Sequence, residues 1–180
     1  MESKKIFSRT IDIVSYQDGP DSVLIQGEIK DTRLCQNYLV TGEKQNPGIL
    51  HNMIIAMRVS GSNLVISDIQ VTMKQYPREE CADANYNIQK LNGISITKGF
   101  TKAVKDAIGG TKGCSHVTNC ILAMGPAAVQ SYWAMKAQQP VSKEFDSGGS
   151  MSQYLIDTCH VWRKDGPMVK NLAEIVNKLK

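Results

Sequence analysis

Through much of the first eighty or so residues the apolar positions recur at every second place, the spacing of a half-buried β-strand. Ile11, Ile13 and Ser15 alternate against Asp12 and Val14, Asp18-Gly19-Pro20-Asp21 supplies a turn, and Val23 to Ile29 resumes the run. This predicts a hairpin. After the polar stretch Thr41 to Gly48, Leu50 to Val59 is rich in Ile, Met and Val, and Ser60-Gly61-Ser62-Asn63 turns the chain back into Leu64 to Met73. A second hairpin follows, so four strands are expected in one sheet. Beyond Tyr76-Pro77 the period lengthens to that of a helix. Helices are predicted over Ala82 to Leu91, over Thr97 to Ile108 before Gly109-Gly110, and from Gly113-Cys114-Ser115 toward Gln138. The last carries a stripe of Val117, Ile121, Met124, Ala128 and Met135, with Gly125-Pro126 expected to kink or split it. Pro140 to Gln153, which contains Asp146-Ser147-Gly148-Gly149-Ser150, reads as a flexible loop. Asp165-Gly166-Pro167 opens a final helix with Met168, Leu172, Ile175, Val176 and Leu179 on one face, expected to pack on the sheet.

The expected fold is therefore α+β, a four-stranded mainly antiparallel sheet followed by helices packed on one face. The expected organisation is a single domain over residues 1–180, with 1–76 mainly β, 77–139 helical, 140–153 a loop, and 154–180 a C-terminal segment and helix.

Composition narrows the class of protein. The chain is 42% apolar and 21% charged, which excludes low-complexity and disordered classes. A net charge of +4, with Lys and Arg scattered rather than clustered, gives no stripe for nucleic acid. No secretion signal is read at Met1 to Arg9, and no apolar run approaches the length of a membrane span, so a soluble cytoplasmic protein is expected. In a reducing cytosol the five cysteines would be metal ligands, nucleophiles or small core residues rather than disulfides.

Histidine and cysteine together supply the donors that zinc, iron and iron–sulfur sites use. No Cys-x-x-Cys occurs, so such a site would gather its ligands from distant segments. Cys81 and Cys114 both fall at expected helix starts, where the helix dipole favours the thiolate that a ligand or nucleophile needs; a capping or buried small residue is the plain alternative. His116 follows Cys114 closely enough to share an irregular first turn, and His51 precedes a strand. Cys120, among Ile121 and Leu122, reads as core, as does Cys35. Cys159-His160-Val161-Trp162 offers a fourth ligand or a buried cysteine beside an aromatic anchor. Gly109 to Gly113 reads as an anion cradle or a plain connection, and Glu79, Glu80 and Asp83 as acid–base groups, oxygen ligands or solvated charges. Walker-type, dinucleotide-binding, G-x-S-x-G and H-E-x-x-H motifs are all missing, against nucleotide hydrolysis and serine-hydrolase chemistry.

These segments carry a resemblance. Ile25 to Thr32, His51-Asn52-Met53, Pro77 to Cys81, Leu91 to Ile96, Gly113-Cys114-Ser115-His116 and Cys159 to Trp162 together resemble the bacterial domain-of-unknown-function family numbered 2889. The order of elements is also similar to iron–sulfur scaffold proteins of the NifU and SufE type. That second resemblance implies a ligand at His51 before the second hairpin and ligand cysteines at Cys81 and Cys114.

The expectation is a metal-binding protein, a carrier or assembly factor for a mononuclear metal or iron–sulfur centre held by His51, Cys81 and Cys114, with His116 as fourth ligand or proton handler. The metal would be zinc or iron. Two alternatives stand beside it. One is an accessory subunit of a larger cytoplasmic complex. The other is a metal- or thiol-dependent enzyme acting on a small molecule, with Cys114 and His116 as its catalytic candidates. A protein partner or larger complex fits the first two readings; neither a membrane nor a nucleic acid does.

Overall fold

The computed structural model describes residues 3–97, 99–138 and 156–171. The chain divides into two compact units, Met1–Ser131 and Tyr132–Lys180.

In the first unit, four strands form one antiparallel sheet in the order β1-β2-β5-β6: β1 (Phe7–Gln17), β2 (Ser22–Arg33), β5 (Gly48–Ser60) and β6 (Val65–Gln75). Both hairpins sit where the alternation predicts them. The polar stretch between them also folds, as a two-residue ribbon of β3 (Asn37–Tyr38) and β4 (Lys44–Gln45). Alternation decides which face is dry. Val23, Ile25 and Ile29 of β2 and Met53, Ile55, Met57 and Val59 of β5 are buried, and Gly27 and Asp31 share their phase.

The segment after β6 departs from the expected single helix. Glu79–Asn85 and Ile88–Leu91 are two short 3-10 helices. The first buries no residue, so no apolar stripe supports a longer α-helix there. The second buries Ile88 and Leu91, three apart, which matches the period of a 3-10 turn. Cys81 is thus held in a 3-10 segment and not at an α-helix start. Helix α1 (Phe100–Ile108) follows and buries Phe100, Val104 and Ile108.

Helix α2 (Ser115–Lys136) is one helix, not split at Pro126. Pro126 is on an exposed position, so the carbonyl of Leu122 that it leaves unbonded is on the solvent side. Gly125 beside it is buried, and a Cβ there would stand 2.5 Å from the ring of Phe100, which packs α1 against α2. The predicted stripe of Val117, Ile121, Met124, Ala128 and Met135 is buried. On the sheet side, a Cβ at Gly27 would meet Met124 Sδ at 2.7 Å and Cys120 Sγ at 2.9 Å. Glycine there lets the helix lie close on β2. Further along, the hydroxyl of Ser131 bonds that of Ser15 on β1 at 2.6 Å. The helix thus runs over the dry face with its N-terminus near the end of β2.

In the second unit, the backbone N–H of Asp157 donates to the carbonyl of Trp162, and residues 167–171 are helical from Pro167 onward, the start that the sequence predicts. The loop expected over 140–153 and the apolar face at Leu172, Ile175, Val176 and Leu179 lie outside the described residues. Among the described residues, no helix is long and apolar enough to cross a membrane.

A candidate metal centre in a cysteine-lined cleft

The alternation that buries Val23, Ile25 and Ile29 carries a carboxylate onto the same face, and Asp31 is only 1% exposed. A buried carboxylate without partners costs several kcal/mol, roughly, so neighbours must answer it. Both flanking strands do so. Arg9, its register partner on β1, donates from Nε to Oδ1 at 2.7 Å and from Nη2 to Oδ2 at 2.8 Å. His51, its partner on β5, has Nδ1 3.0 Å from Oδ2. Arg9, Asp31 and His51 form one row across three adjacent strands. Directly after it the register slips, from Asp31 opposite His51 to Thr32 opposite Ile49, so Leu50 is an extra residue in β5. Bulges of this kind re-aim side chains at the ends of strands.

Helix α2 delivers the remaining donor. His116, in its first turn, has Nε2 3.1 Å from the same Asp31 Oδ2. The rings of His51 and His116 stack with centroids 3.8 Å apart and planes at 29°. Cys114 precedes the helix and its carbonyl accepts from the N–H of Thr118 at 2.9 Å, the first helical bond. Its Sγ lies 3.7 Å from Nδ1 of His116, the ring nitrogen turned away from Asp31.

Charge in this cluster is settled by proximity. The Arg9 guanidinium, by its hydrogen bonds, holds the Asp31 carboxyl below the usual carboxylate range, overcoming the opposing effect of burial. Burial pushes His116 below its ordinary value, helped by the neighbouring His51, against the upward pull of Asp31. At neutral pH the carboxylate is ionised and the His116 imidazole neutral, with Nε2–H donating to Oδ2 and Nδ1 facing the Cys114 thiol as acceptor.

A cleft of about 410 Å³ opens beside the cluster, lined in part by His51, His116, Cys81 and Cys114. These four are the residues singled out from sequence, and the fold brings all of them to one cleft. His51 and His116 aim nitrogens at one oxygen, Cys114 backs His116, and Cys81 lines the wall with no hydrogen bond to the others among the described residues. Glu80 also lines the cleft, whereas Glu79 and Asp83 are exposed outside it. The Gly109 to Gly113 segment is a 3-10 turn over Gly110–Lys112 braced by Lys112 Nζ on the carbonyl of Asp106, and only Gly113 reaches the cleft wall.

The other cysteines stand apart. Cys120 is buried against β2, as expected, and burial pushes its thiol up to about 11. Cys35 is half-buried, its Sγ 3.8 Å from the carbonyl of Ile6. Cys159 and His160 are exposed in the second unit, where His160 Nε2 lies 3.3 Å from Arg163 Nη1. Sequence reasoning missed Asp31 and Arg9. A signal was available for Asp31, which occupies a core phase of a strongly alternating strand, where a carboxylate needs a reason.

The donor set fits a small divalent ion. Asp31 Oδ2, His51 Nδ1 and His116 Nε2 all lie within 4.8 Å of one another. Two donors each about 2.0–2.1 Å from a common zinc lie about 2.8–3.4 Å apart in octahedral to tetrahedral geometry. The distances of 3.0 Å and 3.1 Å to Oδ2 match such ligand edges. Arg9 bonds both carboxylate oxygens, Oδ1 through Nε and Oδ2 through Nη2, so an ion would share Oδ2 with one guanidinium N–H and could be held by that oxygen alone. One-oxygen carboxylate plus imidazole suits zinc or iron rather than calcium, which takes six to eight oxygens.

Fold and site together define a small α+β domain with a buried aspartate–histidine pair of strands closed by a histidine from a covering helix. The chain belongs to the family described as protein of unknown function (DUF2889), whose model matches residues 7–130. That range contains Arg9, Asp31, His51, Cys81, Cys114 and His116. No curated protein and no solved structure matches the chain.

Proposed function

We propose that this domain holds one zinc or iron ion on Asp31, His51 and His116, and that the ion acts on a small molecule bound in the adjoining cleft. The observation that carries this reading is the convergence of two imidazole nitrogens on one buried carboxylate oxygen, at 3.0 Å and 3.1 Å, beside a cleft of about 410 Å³. Three protein donors leave a coordination position open, the hallmark of catalytic rather than structural zinc sites. There a metal polarises a substrate oxygen or lowers the pKa of a bound water. His116 would hold the ion through Nε2, and its Nδ1, 3.7 Å from Cys114 Sγ, would carry the ring proton toward that sulfur, the kind of outer-shell contact that orients a ligand ring.

A second reading follows from the two thiols. Cys81 and Cys114 line the same cleft as both histidines, so the cleft offers two sulfur and two nitrogen donors. In that reading the protein is a carrier or assembly factor for a metal or an iron–sulfur centre, of the NifU or SufE kind, and hands its cargo to a partner protein. The deep burial of Asp31 under Arg9 favours a retained ion over an exchanged one.

Elemental analysis and an absorption spectrum of untagged protein purified without oxygen test both readings. One equivalent of zinc or iron, retained in Cys81→Ser and Cys114→Ser, supports the first. Sulfur-to-iron charge-transfer bands that vanish in those variants support the second. Metal-free protein that takes up neither ion contradicts both.

A further inference from the structure

The cleft wall includes an arginine whose guanidinium has no acceptor among the described residues. Arg78, at the N-cap position of the first 3-10 helix, lines the cleft; its carbonyl accepts from the N–H of Cys81 at 3.0 Å, but its side chain makes no hydrogen bond or ion pair with another described residue. Glu43, which feels its charge at longer range, makes no bond to it. This contrasts with Arg9, whose fork is saturated by Asp31. Glu80 also lines the cleft but forms no ion pair with Arg78, so its carboxylate leaves the fork open. Among the cleft's remaining lining, Met53 and Ala84 are apolar.

We infer that the cleft binds a small organic monocarboxylate, with its carboxylate on Arg78, its body against Met53 and Ala84, and its other end toward His51 and His116. The inference deepens the reading of Asp31, His51 and His116 as a metal centre by naming the class of molecule that reaches it. A guanidinium fork matches a planar carboxylate with two parallel hydrogen bonds, stronger than neutral ones. Two other features favour one negative charge over two. Glu80 repels a dianion more strongly than a monoanion, and Arg78 is the single Lys or Arg among the described residues of the cleft wall, whereas phosphate sites gather several donors. A volume of about 410 Å³ falls in the range of small-molecule pockets, near its lower end.

The test uses the full chain, zinc-loaded and chelator-stripped, titrated with hexanoate, uncharged hexanamide and inorganic phosphate, with backbone amide NMR shifts as readout. Arg78→Gln changes an exposed side chain that bonds no other described residue, and unchanged amide dispersion and zinc content check that the variant is intact. Hexanoate is expected to shift the amides of Gly113, Cys114 and Ser115, to bind about tenfold more weakly to Arg78→Gln, and to keep part of its affinity in Arg78→Lys. Hexanamide and phosphate are expected to bind more weakly than hexanoate. Hexanoate affinity equal in wild type and Arg78→Gln, or phosphate binding tighter than hexanoate, overturns the inference. The two failures separate: Arg78-dependent binding in a protein that takes up no zinc sinks the metal centre alone. Zinc uptake without Arg78-dependent binding sinks the monocarboxylate alone.

Discussion

Asp31 and His51 stand directly opposite on β2 and β5, with His51 Nδ1 3.0 Å from Asp31 Oδ2. Their pairing is the last in register before the bulge, so the same irregularity that ends regular pairing sets the position of the histidine. The row is completed by Arg9 on one side and capped by His116 from above. Each partner makes the burial of the carboxylate tolerable, and each is therefore testable.

Removing the cation exposes the cost of the buried charge. Arg9→Met leaves the Asp31 carboxylate without its guanidinium partner, and breaking a buried pair in this way costs about 3–5 kcal/mol. Arg9 is itself 37% exposed on its side chain, and solvent screening reduces the expected loss to about 2 kcal/mol. Urea unfolding at neutral pH measures it. Arg9→Met with Asp31→Asn is expected to recover part of the loss, because the orphaned charge is gone.

Stability of the metal-free protein is expected to fall in two steps as pH is lowered. His116 has a folded-state value below its ordinary 6.5, so the unfolded chain binds more protons on that group. Its contribution is present above pH 6.5 and is lost as pH falls through the lowered folded-state value. Asp31 behaves likewise from 3.8 downward, its contribution present above that value and lost below it. Thermal unfolding between pH 8 and pH 3, in wild type and His116→Asn, checks this. The variant is expected to lose the upper step and keep the lower one.

The approach of α2 to the sheet is set by Gly27. A Cβ there would stand 2.7 Å from Met124 Sδ and 2.9 Å from Cys120 Sγ, so Gly27→Val forces the helix or its side chains to shift. Overpacking of this kind costs about 1–3 kcal/mol. Because the same helix carries His116, the ring stacking with His51 is expected to loosen as well. A lower melting temperature with altered imidazole NMR signals is the expected result.

The strands were legible because alternation is a strong and local signal: Ile25, Ile29, Met53, Ile55 and Met57 announce the buried face without any knowledge of the fold. The same alternation named Asp31, yet attention to cysteine and histidine as metal donors passed over a carboxylate among apolar residues. Arg9 was not legible at all, since its role exists only through register with β2. The 3-10 character of Glu79–Asn85 was hidden for a different reason. A helical period is visible in composition, but which residues find a dry surface is a tertiary matter, and this segment finds none. Pro126 shows the converse, a local breaker carried within a helix whose opposite face is packed.

Competitive zinc titration of the metal-stripped protein, compared across Asp31→Asn, His51→Ala and His116→Ala, tests the central claim most directly. Each variant removes one donor from a three-donor centre, and the wild type is expected to bind one equivalent, with affinity at least a hundredfold, roughly, above that of every variant, since ligand loss outweighs the 10–100-fold cost of losing an outer-shell partner. Equal affinity in wild type and all three variants, with their folds intact, would contradict a metal centre on Asp31, His51 and His116.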